Sequence, residues 1–426
     1  MRFSRLSEWL AWQEQLHPRA IDLGLDRVRR TLSALGWRRP RCPVITVGGT
    51  NGKGSTVAML TRILTEAGYR VGTFSSPHLI DYNERIRITE REISDTSLLV
   101  AFERIDAARG DETLTFFEFN TLAALLVFES AHLDAIVLEV GLGGRLDAVN
   151  VVDADVAVIS SVALDHCEWL GTDVETIGLE KAGILRSNRP AIFGARSMPV
   201  SVGRAAEQVG ARLRRIGREF DWQRAEDAWS WRGESSKYED LPMPALQGDI
   251  QLDNASSALA ALVELSPRLP VTRDAIDRAL RSVSLAGRFQ VIDCGCEWIL
   301  DVGHNPAAAR TLAQSLRVRA ARMPTIAVFA ALADKDIDGI VAELAQSFDS
   351  WVIAQLSGAR ALEIGELANR LRHAGIRVLD RCESVVDACV RAEEHVGPQG
   401  RVVVFGSFMT VGPALAWLKA RCVTSA

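Results

Sequence analysis

The stretch Val44-Ile-Thr-Val-Gly-Gly-Thr-Asn-Gly-Lys-Gly-Ser-Thr56 leaves few folds open to the chain that contains it. Apolar β-formers break into a glycine-rich turn. The turn passes at once into an amphipathic helix, in which Leu60, Ile63, Leu64 and Ala67 recur at helical spacing before Gly68 stops it. Strand, tight turn and helix in that order form the repeating unit of a doubly wound α/β sheet. The glycines let the turn curl with its N–H groups inward, and the helix N-terminus adds positive charge, so the turn reads as a phosphate cradle. Lys53 then reaches a terminal phosphate, and Ser55 or Thr56 a phosphate or Mg²⁺. The strict phosphate-loop pattern is not met, because its first glycine falls on Val47 and Gly54 follows the lysine in place of Ser or Thr. On this stretch alone, a glycine-rich turn without a ligand remains the alternative.

With 426 residues, 48% apolar and 24% charged, the chain has ordinary globular composition and room for two or three domains. A net charge of −5 argues against a protein that coats nucleic acid and favours small substrates. The N-terminus lacks the apolar core of a signal peptide and no run approaches a membrane span, so a cytoplasmic protein is expected. Seven scattered cysteines do not make a disulfide framework, and Cys294-Gly-Cys296 reads as two reduced strand cysteines.

Residues 1 to about 40 read as helical and peripheral. Val71-Gly-Thr-Phe74 is a short strand, and Pro77 forces Ser76 towards extended geometry in the loop leaving it. Ser76 and His78 there either touch a metal or phosphate or close a polar turn. Asn83-Glu-Arg-Ile-Arg87 reads as a solvated strand. Thr115–Asn120 leads into an apolar helix from Thr121 to about Ser130, its aromatics core residues by default. Leu133–Val140 is a central parallel strand with Glu139 near its end, a costly place for a carboxylate unless it is paired or holds a metal.

Gly141–Asn150 reads as a flexible, polar crossover. The strand Asp155–Ile159 runs out to His166, which near Glu139 is a metal ligand and otherwise a turn histidine. Thr172-Asp-Val-Glu175 is a capping box that starts a helix carrying Lys181, ordinarily a solvated position. A tryptophan-rich segment at about 210–246 is expected to be a β-rich insertion, and Gln251–Leu265 a helix. From Leu285-Ala-Gly-Arg-Phe289 a second unit alternates strand and helix to the C-terminus as a Rossmann-like sheet without the GxGxxG fingerprint. Its loops Asp301–Pro306 and Ala331–Asp336 are placed to face an interdomain cleft.

Six segments in order resemble the dihydrofolate synthase/folylpolyglutamate synthase family, relatives of the Mur ligases. They are Gly49–Thr56, Ser76–Leu79, Leu138–Asp147, Asp165-His166 with Trp169–Gly171, Glu180–Ile184 and His304–Pro306. The resemblance implies an α/β protein with two parts. Residues 1–286 would form an N-terminal P-loop NTPase-type doubly wound sheet with the small β-rich insertion, and residues 287–426 a C-terminal Rossmann-like α/β domain.

It also implies an ATP- and Mg²⁺-dependent amide ligase joining L-glutamate to 7,8-dihydropteroate and extending γ-linked tails on reduced folates through an acyl phosphate. A cytoplasmic monomer without nucleic-acid or membrane partners is expected. Carried over by position, Gly52, Lys53, Gly54 and Ser55 are the ATP phosphate loop, and Asn254, Arg288, Asp301 and His304 further ATP contacts. Arg288 would reach phosphate only on domain closure. Ser76 and Glu139 match ligands of one Mg²⁺, Glu139 and His166 those of a second, and Lys181 a lysine carbamylated in the family. Lys53, His166 and Lys181 are the catalytic candidates. Asp22, Leu23, Gly24, Thr115, Phe116, Phe117, Glu118, Leu146, Asp147 and Ala148 resemble the pterin site, which makes Phe117 a ring-stacking wall.

Two departures stand: Val302-Gly303 where Gly-Ala is usual, and Thr89-Glu90 where Asn-Gly is common. A folylpolyglutamate synthase only, or a Mur-type amino-acid ligase, is the nearest alternative. The early phosphate loop leaves no room for the Mur enzymes' separate N-terminal domain. A nucleotide switch that hydrolyses ATP without ligation is the alternative of a different class, disfavoured by the aromatic Thr115–Phe119 segment and the second domain.

Overall fold

A computed structural model describes residues 2–319 and 323–423. Its first eight strands are β1 (Val44–Gly48), β2 (Val71–Phe74), β3 (Ile86–Ile88), β4 (Arg91–Glu92), β5 (Ala135–Glu139), β6 (Val156–Ile159), β7 (Pro190–Phe193) and β8 (Arg212–Arg215). They form one sheet in the order β4-β3-β2-β5-β1-β6-β7-β8. From β2 to β8 across the sheet all pairings are parallel, and β3 and β4 add an antiparallel edge.

Strands β1 and β5 are buried from end to end because helices cover both faces. Alternate residues go to opposite cores: Val44, Ile136 and Leu138 pack with Trp9, Phe102 and Phe119, while Ile45, Val47 and Val137 pack with Leu60, Ile63 and Leu259. Trp9 is fully buried, so the N-terminal helices Leu6–Leu16 and Asp26–Ala34 belong to the core instead of lying at the periphery.

Strands β9 (Asp221–Arg224), β10 (Ala228–Arg232) and β11 (Lys237–Pro242) make a small antiparallel sheet in the segment expected to be β-rich. Residues 212–215 leave that segment and extend the main sheet as β8. The C-terminal sheet contains β12 (Gln290–Cys294), β13 (Cys296–Asp301), β14 (Thr325–Phe329), β15 (Ser350–Ala354), β16 (Val378–Cys382) and β17 (Arg401–Phe405). Its order is β12-β13-β17-β14-β15-β16, parallel except for β12.

The local expectations need several corrections. The aromatic segment is already helical, since the helix runs Phe116–Ser130 with Thr115 as N-cap and a capping box to Glu118. The helix Val174–Ala182 is capped by Asp173, not by Thr172. Gly141–Asn150 is a compact turn ending in a 3-10 helix, with Asp147 and Asn150 buried. Tyr82–Arg85 is a 3-10 turn leading into β3, and Arg85 is only 7% exposed, so this is no solvated strand. Cys294 is joined to Cys422, 128 residues away, because the last helix, Phe408–Val423, packs back on the β12–β13 hairpin. Among the described residues no helix is long and apolar enough to cross a membrane.

Candidate active site

The carboxyl ends of β1, β2, β5 and β6 open into one cleft of about 1020 Å³, closed on the far side by loops of the C-terminal sheet. Of the site residues singled out from the sequence, all but Thr56 line this cleft. The phosphate loop after β1 is shaped at two glycines. Gly49 has φ +146° and a side chain there would collide with the Ser160 hydroxyl; Gly52 has φ +87° and a Cβ there would lie 2.5 Å from Asn254 Oδ1. Lys53 Nζ donates to the carbonyls of Gly49 and Thr50 at 3.1 and 3.2 Å, curled over the loop it would serve. Burial pulls its pKa down, opposed by Glu139 and Asp165.

Replacing Gly52 by alanine should cost roughly 1–2 kcal/mol in backbone strain alone, hence about ten-fold in nucleotide affinity. Titration with a non-hydrolysable triphosphate checks it. Undiminished affinity would show that the loop tolerates another conformation.

Glu139 ends β5 opposite Val47 of β1. Burial raises its pKa, while Lys53 and Arg288 pull it back. Its Oε2 accepts the Ser76 N–H at 3.3 Å, and Oε1 has no hydrogen-bond donor among the described residues. A cleft-lining carboxylate with a free oxygen, and a serine whose N–H it accepts, offer hard oxygen donors that suit Mg²⁺. His166 has its pKa pushed down to about 4 by burial, against the pull of Asp165, so its imidazole is neutral and able to ligate.

Among the described residues, ligand atoms of Asp165, His166 and His304 lie within 4.8 Å of one another, and Glu139 is outside this group. Asp165 is a hub that the sequence reading passed over, although it stands next to His166 in a quoted segment. It accepts from Lys335 Nζ at 2.7 Å and Asn305 Nδ2 at 3.1 Å, and His304 Nε2 lies 3.3 Å away. Burial would raise its pKa, but these neighbours hold it well below the usual carboxylate range. Asn305 also exchanges amide hydrogen bonds with Asn51 of the phosphate loop at 3.0 and 3.1 Å.

Arg288 needs no further closure to reach the loop, since a methyl group on Gly54 would lie 3.5 Å from its Nη2. Asp301 accepts the backbone N–H groups of Phe289 and Gly303 at 2.9 and 2.8 Å, which sets the turn from which Arg288 projects. Asn254 Oδ1 accepts the Thr56 hydroxyl at 3.4 Å, joining the helix Ile250–Leu265 to the phosphate-loop helix. Lys181 is buried, not solvated, and donates to Gly49 O at 3.1 Å. Burial and the nearby Lys53 charge lower its pKa to about 7.

The aromatic end of the cleft is built from three segments. Phe117 packs over Gly141, where a Cβ would lie 2.6 Å from the ring. Asp147 accepts the N–H groups of Leu142 and Val149, and burial pushes its pKa up to about 7. Arg27, absent from the sequence reading, ties the remaining two segments together. Its Nε donates to both Glu118 oxygens at 3.0 and 3.2 Å, while Nη1 and Nη2 hold the Asp22 carboxylate and carbonyl. Only the fold could reveal it, because 91 residues separate Arg27 from Glu118.

The Mur ligase middle domain family matches residues 47–195, and the Mur ligase glutamate ligase domain family matches residues 287–408. The dihydrofolate synthase/folylpolyglutamate synthase of Escherichia coli (strain K12) is 42% identical over 98% of this chain and 96% of its own length. E. coli FolC in complex with DHPP and ADP superposes with a TM-score of 0.93 at 42% identity, over 98% of this chain and 99% of that one. A bifunctional folylpolyglutamate synthase/dihydrofolate synthase with Mn, AMPPNP and L-glutamate bound gives 0.89 at 42% identity, over 98% of both chains. Near-complete coverage at this identity, with both Mur ligase domains in order, means that the chain belongs to the dihydrofolate synthase/folylpolyglutamate synthase family of ATP-dependent ligases.

Proposed function

We propose that the protein joins L-glutamate to 7,8-dihydropteroate, giving dihydrofolate, and adds further γ-linked glutamates to tetrahydrofolates. The observation that carries this reading is a single cleft lined by a phosphate loop, by the half-buried aromatic residues Phe116 and Phe117 and by Glu139. A substrate carboxylate oxygen attacks the γ-phosphorus of ATP, the bond to the bridging oxygen breaks, and ADP leaves. The glutamate nitrogen then attacks the acyl carbon; the C–N bond forms, the C–O bond breaks with its electrons going to phosphate, and the nitrogen sheds its protons to solvent. A free carboxylate is a poor electrophile, so phosphorylation supplies the leaving group, and the protein aligns the reactants and offsets their negative charge.

Lys53 and the loop N–H groups would hold the triphosphate, and Arg288 would meet it from the second domain. Ser76, Glu139 and His166 would hold Mg²⁺, which neutralises charge on the transferred phosphoryl group. Phe117 and Asp147 would grip the pterin, one by stacking and one by hydrogen bonding. We place the reaction in the cytoplasm, on a monomer that takes neither nucleic acid nor a membrane as partner.

The deciding measurement is phosphate release with Mg-ATP and L-glutamate, with and without dihydropteroate, following dihydrofolate by mass spectrometry. Stoichiometric dihydrofolate and phosphate are expected. Tail extension of a tetrahydrofolate without dihydrofolate formation would leave only the polyglutamate activity.

Arg27→Met should raise the KM for dihydropteroate about ten-fold or more, because it leaves the buried Glu118 carboxylate without its cation. The KM for ATP should not move. An equal change in both constants would make Arg27 a general structural residue.

A further inference from the structure

Arg85 is a cation that the fold buries without giving it an anion. It lies at the end of the turn Tyr82–Arg85, just before β3. Its carbonyl accepts the Ser75 N–H at 2.9 Å, which sets its backbone beside the loop carrying Ser76. The side chain is only 7% exposed and lines the cleft. Its guanidinium carbon lies 5.8 and 5.5 Å from the ring centroids of Tyr82 and Phe116, which meet each other edge to face. Nε donates to His78 Nδ1 at 2.8 Å. Among the described residues no carboxylate lies within ion-pair distance of it, and Nη1 and Nη2 have no hydrogen-bond acceptor.

A buried guanidinium left unpaired is costly. Two free amino groups side by side form a fork that matches a carboxylate. Its surroundings select which anion that is. Phe116 belongs to the aromatic end of the cleft, and the loop after β2 belongs to the phosphate end, with Glu139 close enough to pull on the Arg85 charge. The fork therefore stands where the two ends of the cleft meet.

Resting on the ligase reading above, we propose that Arg85 is a further catalytic residue, whose guanidinium holds the substrate carboxylate that is to be phosphorylated. Two anions, a carboxylate and a triphosphate, must approach for the first bond to form. A fixed cation on the carboxylate's side reduces their repulsion and fixes the angle of attack. His78, accepting the Arg85 Nε–H at Nδ1 through a neutral imidazole, keeps the fork turned into the cleft. Both substrate classes carry the reacting carboxylate, so both should need Arg85. A tetrahydrofolate with a glutamate tail also carries a free α-carboxylate, which dihydropteroate lacks, and this difference separates the two possible partners.

The test uses full-length wild type, Arg85→Gln and Arg85→Lys. It measures kcat and KM with dihydropteroate and with tetrahydrofolate, alongside equilibrium binding of a non-hydrolysable ATP analogue. In Arg85→Gln, kcat/KM should fall at least a hundred-fold with both substrates, with nucleotide affinity unchanged. Arg85→Lys, which keeps the charge but not the fork, should recover part of that loss and guards against a glutamine variant that fails to fold. Loss confined to tetrahydrofolate would assign Arg85 to the α-carboxylate and overturn the proposal, as would a parallel loss of nucleotide binding. Wild-type turnover of dihydropteroate is scored first, so failure of the ligase reading is seen separately from failure of this residue.

Discussion

Glu139→Gln is expected to lower kcat on the order of 10³-fold while leaving the fold intact. The substitution keeps the volume and removes the charge. In the protein that carboxylate ends a buried central strand, where burial raises its pKa and the nearby cations Lys53 and Arg288 oppose the rise. Glutamine would satisfy the Ser76 N–H equally well but offers a divalent cation only a neutral oxygen. The Mg²⁺ concentration for half-maximal rate should rise together with the fall in kcat, and circular dichroism should be unchanged. A variant that keeps kcat within ten-fold at the same Mg²⁺ requirement would remove Glu139 from the metal site.

Lys181→Met is expected to cost about a hundred-fold or more in kcat, and the reason lies in the wild-type amine. An ordinary lysine is neutral in about one molecule in three thousand at pH 7. Burial and the Lys53 charge bring Lys181 to about 7, so close to half of it is neutral and able to add CO₂. A carbamate formed there would turn a cation into an anion that could help to hold a metal. The direction with pH follows: protonation below pH 7 removes the reactive amine, and carbamate declines as pH falls. Protein equilibrated with ¹³C-bicarbonate should show one carbamate resonance at pH 8 that fades by about pH 6 and is missing in Lys181→Met. A wild-type protein without that resonance, yet fully active, would sink the modification.

What could be read from the sequence was whatever one segment carries by itself. Val44–Thr56 holds strand, turn and helix start within 13 residues, and the buried runs of β5, β13, β14, β15 and β17 announce themselves by composition. Glu139 was legible because a carboxylate at the end of an apolar run already poses a question. Arg85 was not, because a charged pentapeptide looks solvated until Tyr82 and Phe116 are folded around it. Asp165 and Lys335 are separated by 170 residues, and only the meeting of two sheets makes them a pair. Trp9 misled for the same reason: a tryptophan among charges reads as peripheral until Phe102 and Phe119 close over it.

The amide pair between Asn51 and Asn305 joins the phosphate loop directly to the glutamate-ligase domain. A contact of this kind cannot convey influence in one direction only. Whatever factor nucleotide contributes to seating the second domain, an occupant of that domain returns to nucleotide affinity by thermodynamic reciprocity. Neither ligand commands the other at equilibrium, so the sequence in which the substrates arrive is governed by their concentrations and on-rates.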